Sequence, residues 1–444
     1  MPHLSKKGSL AVVFLVVLVD MIGFGIIIPF LTYMVEHLSE PGQPIGKWVA
    51  ALMASYAGAM FLFSPFWGAL SDRIGRRPVL MFGLAGNSLA FLTFGIANSL
   101  WMALGARLFA GMVNANISVT RAYIGDVSQP HEVARRQGIL GVAFGVGFSV
   151  GPALGGVLSA PAEWGFTDVF VGTVFETYPY LLPCLASAVL SLIGFILAVT
   201  KLEESLPAED RSKIEKRSAS ATLKTNLSNV VKMLSRPVVS PLLWSMVSFW
   251  IGFTIMHVVF ILFTMRPLSE GGLGFSEIDN GWIFTMIGVV GIITQGWLIG
   301  PLTDRFGSSR LLATGFLLAG IGLVAIPQVP TGYGMVWMLL TSTVIAFGNG
   351  LVTPSNMTLL TFASGSEERG AVMGVSESLR SLSSFSGVLI GGWVWDMTSN
   401  RTDMFSQETA FWMCGVFCFL AWFSFRTTGA WKAEGSLPLH GEDE

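Results

Sequence analysis

The chain has 444 residues, of which 52% are hydrophobic and 12% are charged, and its formal net charge is -2. A water-soluble domain carries about twice that share of charged residues, so the composition excludes an ordinary soluble protein. We expect no nucleic-acid partner.

Apolar segments long enough to cross a bilayer recur along the whole chain. An even number of spans returns both termini to one side of the membrane. Lys and Arg are unevenly distributed, with 21 on the terminal side and 3 in the opposite loops, which predicts that both termini are cytoplasmic. We place twelve spans at 9–35, 48–69, 79–98, 101–121, 137–158, 178–199, 241–264, 281–300, 311–327, 334–356, 371–395 and 408–426.

The first span contains a carboxylate, Asp20, about 16 Å along the helix from Ser9 and therefore near the middle of the bilayer. An unpaired carboxylate at that depth costs at least about 2.5 kcal/mol. We therefore expect Asp20 to bind a proton readily, to face a water-filled cavity or to meet a cation. Arg107 of the fourth span is the natural counter-charge, and a permanent Asp20–Arg107 ion pair that only holds helices together is the alternative.

The fifth span is rich in glycine and contains one proline. Gly147, Gly151 and Gly155 are four residues apart and form one smooth stripe on a helix, against which a neighbouring backbone can pack closely. Pro152 removes one intrahelical hydrogen bond, so we expect a moving joint between helices. The full pattern consists of Gly138, Gly147, Gly151, Pro152, Gly155 and Gly156.

An internal repeat indicates how the chain is organised. The segment Gly68–Gly75 recurs as Gly300–Gly307, and the glycines of the fifth span recur in the eleventh as Gly374, Gly387, Gly391 and Gly392. The repeat predicts an all-α membrane protein with two six-helix bundles related by a pseudo-two-fold axis. We assign the bundles to residues 1–200 and 237–444, joined by a polar cytoplasmic linker at 201–236.

Four motifs carry a family resemblance that covers the whole chain. The segment Gly68–Pro78, here called the signature loop, resembles the loop between helices two and three of the major facilitator superfamily. The pattern Gly138–Gly156 resembles the antiporter signature of its twelve-helix drug/H+ antiporters, which include the tetracycline-type multidrug efflux transporters. Leu18–Phe30 and Ala103–Met112 are similar to the first-helix and fourth-helix patterns of that group. The resemblance implies alternating access, and it places Arg107 in the proton-coupling machinery.

A second acid and base lie in the eleventh span. Glu377 and Arg380 are three residues apart and lie on one helical face. On the functional interpretation, Glu377 is a second titratable site or a contact for a cationic substrate. On the structural interpretation, Glu377 and Arg380 simply neutralise each other. The sequence leaves both interpretations open.

The signature loop predicts a conformational latch at the cytoplasmic face, in which Asp72 accepts hydrogen bonds from a facing helix end. The resemblance implies that Asp126 joins this network with Arg73 or Arg77. The alternative, that the arginines serve only to set topology, does not explain the repeated spacing. The predicted latch residues are Gly68, Asp72, Arg73, Gly75, Arg76, Arg77 and Asp126, with Asp304 and Arg305 in the second copy.

Aromatic residues crowd the predicted central helices beside a few amides, which suits an amphipathic, partly aromatic substrate better than a sugar. The candidate substrate-binding residues are Phe24, Phe30, Asn114, Asn116, Trp250, Phe253, His257, Gln295, Asn349 and Asn356. Tetracycline exporters carry acidic residues in the third and ninth helices, where this chain has Ala90 and Ala319, so tetracycline itself is not the expected substrate.

These patterns predict a secondary transporter and not an enzyme. We expect proton-coupled antiport that exports amphipathic or lipophilic small molecules, driven by the proton gradient, with no cofactor and no metal. We also expect a monomeric multi-pass protein of the cell membrane. A proton symporter or facilitator for a specific metabolite remains an alternative, as does a non-transporting receptor or scaffold on the same fold. The absence of a phosphate-binding G-x4-G-K-[ST] sequence disfavours an ATP-driven pump.

Overall fold

The computed structural model describes residues 6–114, 116–128, 133–161, 172–206, 232–330, 332–364, 369–401 and 405–428. Throughout these ranges the regular elements are helices, which confirms the all-α class predicted from the composition. Most of the predicted linker, residues 207–231, lies outside the described residues.

The helices differ widely in length, and two short non-α segments interrupt them. A 3-10 turn spans Leu268–Glu270, and a π-helical segment spans Thr294–Leu298. In chain order the α-helices are α1 (Lys6–Leu38), α2 (Ile45–Ile74), α3 (Arg76–Gly95), α4 (Leu100–Val113), α5 (Asn116–Val127), α6 (Val133–Ser159), α7 (Val174–Thr177), α8 (Leu181–Lys201), α9 (Val239–Met265), α10 (Glu277–Ile293), α11 (Ile299–Phe306), α12 (Ser308–Ala325), α13 (Gly334–Phe362), α14 (Arg369–Thr398) and α15 (Glu408–Thr427).

Ten helical stretches in the described part of the chain are long and apolar enough to cross a membrane. The predicted fourth span is divided into α4 and α5, which have 14 and 12 residues. The predicted eleventh span is α14, which is long but carries Glu377 and Arg380 in its interior. The predicted fourth and eleventh spans are therefore the two that are missing from the ten stretches. The count of twelve spans stays a prediction.

Each copy of the repeated segment ends on a glycine with a positive φ angle, which also ends a helix. Gly75 has φ 105° between α2 and α3, and Gly307 has φ 77° between α11 and α12. This backbone region is costly for residues with a side chain, so glycine permits the sharp turn from one helix into the next. The repeated D-R-x-G spacing therefore has a backbone explanation in addition to its charges.

By contact, the chain divides into two compact units, residues 1–219 with 261–289 and residues 220–260 with 290–444. In the first unit, Val13, Val16 and Val17 of α1 pack with Val79 and Leu80 of α3 in a buried apolar core. Lipid supplies no hydrophobic drive between helices, so this packing acts through van der Waals contact. The domain boundaries predicted from the repeat stay a prediction.

The glycine stripe of α6 packs directly against the backbone of α1. A methyl group added at Gly151 would lie 2.7 Å from the Cα of Gly25, and one added at Gly155 would overlap the carbonyl oxygen of Ile26. The close approach predicted from the four-residue spacing is confirmed. Pro152 lies inside α6, which continues through it, and the proposed moving joint stays a prediction.

The second unit repeats this packing with different helices. Gly387 and Gly391 of α14 face Ile251 and Ile255 of α9, and an added methyl at Gly391 would lie 3.0 Å from the carbonyl oxygen of Ile255. The sequence repeat therefore corresponds to a repeated helix contact, which is looser at Gly391 than at its counterpart Gly155.

Candidate functional site

The Asp20 carboxylate is buried in the middle of α1 with 2% of the residue exposed. Its Oδ1 accepts a 2.9 Å hydrogen bond from Nδ2 of Asn87 on α3, which is itself 3% exposed. The sequence patterns do not identify Asn87. The signal that marks it is an amide in an otherwise apolar span, where polar groups are costly and usually have a partner.

Arg107 of α4 is 5% exposed and has aromatic rather than acidic neighbours. Its guanidinium carbon lies 4.4 Å from the centre of the Tyr56 ring and 5.8 Å from that of Phe94. The Tyr56 hydroxyl accepts a 2.7 Å hydrogen bond from Nδ2 of Asn114. The Nε of Arg107 has no acceptor among the described residues. Ring faces attract a cation, so they offset part of the cost of burying this charge.

A small cavity brings these two groups together and is called the polar cavity below. Its lining consists of Asp20, Phe24, Tyr56, Asn87, Phe91, Arg107, Ala110 and Asn114. Its volume is about 10 Å³, roughly the space of one water molecule. Asp20 and Arg107 both lie in the part of the chain that the structure describes, and they form no ion pair with each other. The counter-charge predicted from the sequence therefore faces the same cavity, but each group has its own partner.

In the second unit, α9 carries a row of aromatic side chains that contact one another. Trp250 and Phe253 have centroids 5.6 Å apart, and Phe253 and His257 have centroids 5.0 Å apart. The guanidinium carbon of Arg380 lies 5.2 Å from the Trp250 ring centre. Three predicted substrate residues and the predicted second charged pair thus form one cluster, the α9–α14 cluster, which spacing along the chain does not reveal.

Glu377 and Arg380 form a two-point ion pair on α14. The Nε of Arg380 donates to Oε2 of Glu377 at 2.9 Å, and Nη2 of Arg380 donates to Oε1. Their side chains are 42% and 39% exposed. This geometry favours mutual neutralisation over a second titratable site, because each charge already has its opposite within hydrogen-bonding distance.

The remaining candidate substrate residues are dispersed. Phe30 is fully buried and stacks on Tyr180 with ring centroids 5.5 Å apart, so it packs inside the first unit. Asn116 is buried at the start of α5, where its backbone N–H donates to Oδ1 of Asn114 at 3.3 Å. It is the exception to this dispersal, because its side-chain amide also interacts with the Asp20 carboxylate. Gln295 is exposed in the π-helical segment.

Two amides of α13 complete the set. Asn356 is 2% exposed and Asn349 is half-buried. Among the described residues neither side-chain carbonyl oxygen has a donor. These oxygens are available to accept hydrogen bonds from a ligand.

The signature loop forms a charged network around Arg76. Arg76 pairs with Asp72 at 2.6 Å and with Asp126 at 3.0 Å, and it is 7% exposed. Arg73, by contrast, is exposed. The predicted partner of Asp126 was therefore wrong, because Arg76, and not Arg73 or Arg77, projects towards α5 after the turn at Gly75. The latch role itself stays a prediction.

The segment after α8 is tied to the same loop, a connection that the sequence did not reveal. The Glu204 carboxylate accepts the backbone N–H groups of Arg76 and Arg77 at 2.8 and 3.2 Å. Arg77 in turn donates from Nε to the carbonyl oxygen of Ala198 at 3.2 Å. A carboxylate at the first N–H groups of α3 satisfies donors that the helix leaves open.

The second copy of the loop has a different environment. Asp304 and Arg305 are exposed, and the Arg305 guanidinium lies 5.3 Å from the ring centre of Phe306. Ser308, at the position of Arg76, is buried but has no charge. The second copy therefore has no counterpart to the charge that Arg76 supplies in the first.

A further hydrogen-bonded group in the first unit, the Tyr33 cluster, holds the segment between α9 and α10 against α1. The Tyr33 hydroxyl donates to the carbonyl oxygen of Phe275 at 2.6 Å and accepts from Nδ2 of Asn280 at 2.8 Å. Thr264 donates to Oδ1 of the same amide at 2.8 Å. Sequence reasoning missed this cluster, because Tyr33 is more than 200 positions from its partners Phe275 and Asn280.

Comparisons with known proteins agree with the geometry. The profile of the Major Facilitator Superfamily matches residues 13–388 and, again, residues 271–436. The tetracycline resistance protein, class C, of Escherichia coli is 26% identical over 97% of this chain and 99% of that protein. Multidrug resistance protein 2 of Bacillus subtilis is 25% identical over 88% of this chain and 89% of that protein.

Solved structures show the same fold. The nucleoside transporter NupG has a TM-score of 0.74 at 14% identity and covers 94% of this chain and 99% of its own. The human organic anion transporter MFSD10 (TETRAN) has a TM-score of 0.64 at 21% identity and covers 95% of this chain and all of its own.

Proposed function

Because the chain belongs to the Major Facilitator Superfamily, whose members are membrane transporters and not enzymes, we propose that it is a proton-coupled antiporter. It exports amphipathic or lipophilic small molecules by alternating access. The relatives named for tetracycline and multidrug resistance support the export direction.

The observation that carries this proposal is the Asp20 carboxylate on the polar cavity. It is buried at mid-span and has a neutral amide donor instead of an ion pair. A neutral amide stabilises the charged form of a buried carboxylate less than a cation would. A proton can therefore bind to Asp20 when the cavity faces one side of the membrane and leave when it faces the other. Arg107 across the cavity adds a positive field that helps the proton to depart.

The substrate class follows from clustered aromatic side chains, among which Trp250 and Phe253 are buried in this conformation, rather than from a dense set of polar groups. The α9–α14 cluster offers Trp250, Phe253 and His257 with one half-exposed ion pair beside them. Phe24 adds a ring at the polar cavity of the first unit. Such walls bind a partly aromatic, amphipathic molecule through ring contacts and a few hydrogen bonds.

The remaining features of the proposal concern energy and location. The proton gradient is the energy source, and no bound cofactor takes part. The protein acts as a monomer in the cell membrane with both termini in the cytoplasm, as the excess of Lys and Arg on that side predicts.

The test is efflux of a lipophilic fluorescent dye from vesicles that contain the purified protein and carry a pH gradient. The parent protein should export dye, and collapse of the gradient midway should stop export. Asp20→Asn, which keeps the size and removes the titratable group, should give only the rate of empty vesicles. Dye movement that survives both changes would exclude proton antiport through Asp20 and favour a facilitator.

A further inference from the structure

Asn87 donates a hydrogen bond to the Asp20 carboxylate, although no motif of the sequence points to it. Its amide is 3% exposed and its Nδ2 lies 2.9 Å from Oδ1 of Asp20. The two residues come from different helices, α3 and α1, so the contact depends on how these helices pack. A donor in this position affects whichever step involves the Asp20 carboxylate.

The chemistry of an amide donor differs from that of a cationic one. An amide N–H stabilises the charged carboxylate by one hydrogen bond and adds no net charge. A guanidinium would stabilise it about twice as strongly, and a buried pair of that kind would resist protonation. A neutral donor therefore suits a carboxylate that must gain and lose a proton.

A second neutral amide, Asn116 of α5, also interacts with the Asp20 carboxylate, so Asn87 and Asn116 share this balance. The titratable and charged groups that face Asp20 across the polar cavity are Tyr56 from α2 and Arg107 from α4. Arg107 lies against the Tyr56 and Phe94 rings and forms no ion pair with Asp20. The Tyr56 hydroxyl is engaged by Asn114.

We propose that Asn87 is a positioning residue for proton exchange at Asp20. Its amide orients the carboxylate and, together with Asn116, sets the proton concentration at which Asp20 loads and unloads. The importance of this exchange for transport rests on the proposed function. The effect of Asn87 on the protonation of Asp20 does not, so the two can be tested separately.

The experiment measures the protonation of Asp20 directly. A lipophilic carbodiimide reacts with a protonated carboxyl group in the membrane, and mass spectrometry of the full-length protein in vesicles reports the modified fraction of Asp20 at each pH. In Asn87→Leu the charged form loses its donor, so the half-maximal pH of modification should rise by about one unit, a tenfold change in proton affinity. Asn87→Gln, which keeps the amide, should return the midpoint towards that of the parent.

Ser88→Ala is the matched control, because Ser88 is adjacent on α3 but donates to the carbonyl oxygen of Ala188 at 3.0 Å. Its midpoint should equal that of the parent. Asn87→Ala replaces the leucine variant if that one fails to assemble. The proposal is overturned by an unchanged or lower midpoint after the donor is removed, by an equal shift in Ser88→Ala, or by a parent Asp20 that never reacts.

The same vesicles separate this proposal from the proposed function. If the midpoint shifts but the parent exports no dye, Asn87 tunes Asp20 and the antiport proposal fails. If the parent exports dye under a pH gradient and the midpoint is unchanged, the antiport proposal stands and the role of Asn87 is refuted.

Discussion

The two copies of the duplicated pattern treat their charges in opposite ways. In the first copy Asp20, Arg107 and Arg76 are 2%, 5% and 7% exposed, and Asp20 relies on a neutral donor. In the second copy the Glu377 and Arg380 side chains are about 40% exposed and neutralise each other. Among the described residues, the duplicated fold therefore keeps the helix contacts of both copies, but the buried charges without an ion pair, Asp20 and Arg107, lie in the first.

This difference indicates that proton binding and release take place in the first copy. A buried group without an ion pair responds to a proton or a ligand with a large change in free energy, whereas a half-exposed pair is buffered by solvent and by its partner. Four changes, taken from the largest expected effect to the smallest, test whether the asymmetry is real.

The largest expected effect is a difference in dye export between Arg107→Lys and Arg380→Lys. Lysine keeps the charge but loses the planar guanidinium that lies on Tyr56, and it has a stronger demand for hydration. The initial rate of pH-driven dye export should fall about tenfold or more in Arg107→Lys, since a desolvated cation–π contact contributes about 2 kcal/mol. Arg380→Lys should stay close to the parent, because this residue is half-exposed and a lysine can keep the ion pair with Glu377. Equal losses in the two variants would contradict the asymmetry.

The next effect concerns stability at the signature loop. Arg76→Gln removes the ion pairs to Asp72 and Asp126, and we expect the free energy of unfolding in detergent to fall by about 1.5 to 3 kcal/mol. Arg73→Gln and Arg305→Gln change exposed residues and should stay within about 0.5 kcal/mol. If Arg305→Gln is as destabilising as Arg76→Gln, the second copy of the loop has a network of its own.

A smaller effect should distinguish the two glycine contacts. Gly155→Ala places a methyl group onto the Ile26 carbonyl, whereas Gly391→Ala meets its nearest atom at 3.0 Å. Overpacking costs about 1 to 3 kcal/mol, so the melting temperature should fall more in Gly155→Ala. Gly141→Ala is the control, because nothing lies within 4 Å of the added carbon and alanine favours the helix. A larger fall in Gly391→Ala would reverse the comparison.

The smallest effect is the coupling between Glu377 and Arg380. In a double-mutant cycle with Glu377→Gln and Arg380→Gln, the pair should contribute about 0.5 to 1 kcal/mol to stability, as half-exposed pairs do. The double variant should retain most dye export, because both charges are removed together. A double variant as inactive as the poorer single one would show instead that the pair contacts the substrate.

Several parts of the fold and the site could be predicted because the signal is local. The glycines of α6 are four apart, so any helix through them carries the stripe that packs on α1. Asp20 stands out because a carboxylate is rare inside an apolar span. The turns at Gly75 and Gly307 follow from a repeated spacing whose glycine tolerates positive φ.

Other parts could not be predicted because they depend on the rotation of one helix against another. Asn87 is 67 positions from Asp20, and only the packing of α3 on α1 brings them together. The partner of Asp126 was misassigned for the same reason, since neighbouring arginines differ by about 100° in direction on a helix. The Tyr33 cluster joins residues that are 242 and 247 positions apart.

The sequence alone determined the membrane class, the internal duplication, the family and the position of the buried carboxylate. Each of these depends on composition, on spacing along one helix or on the high cost of charge in lipid. Only the tertiary structure decided which donor the carboxylate receives, that Arg107 rests on aromatic rings without an ion pair, and that Arg76 joins two carboxylates. The physical reason is that hydrogen bonds and ion pairs act over about 3 Å, and helix packing, not chain order, brings atoms that close.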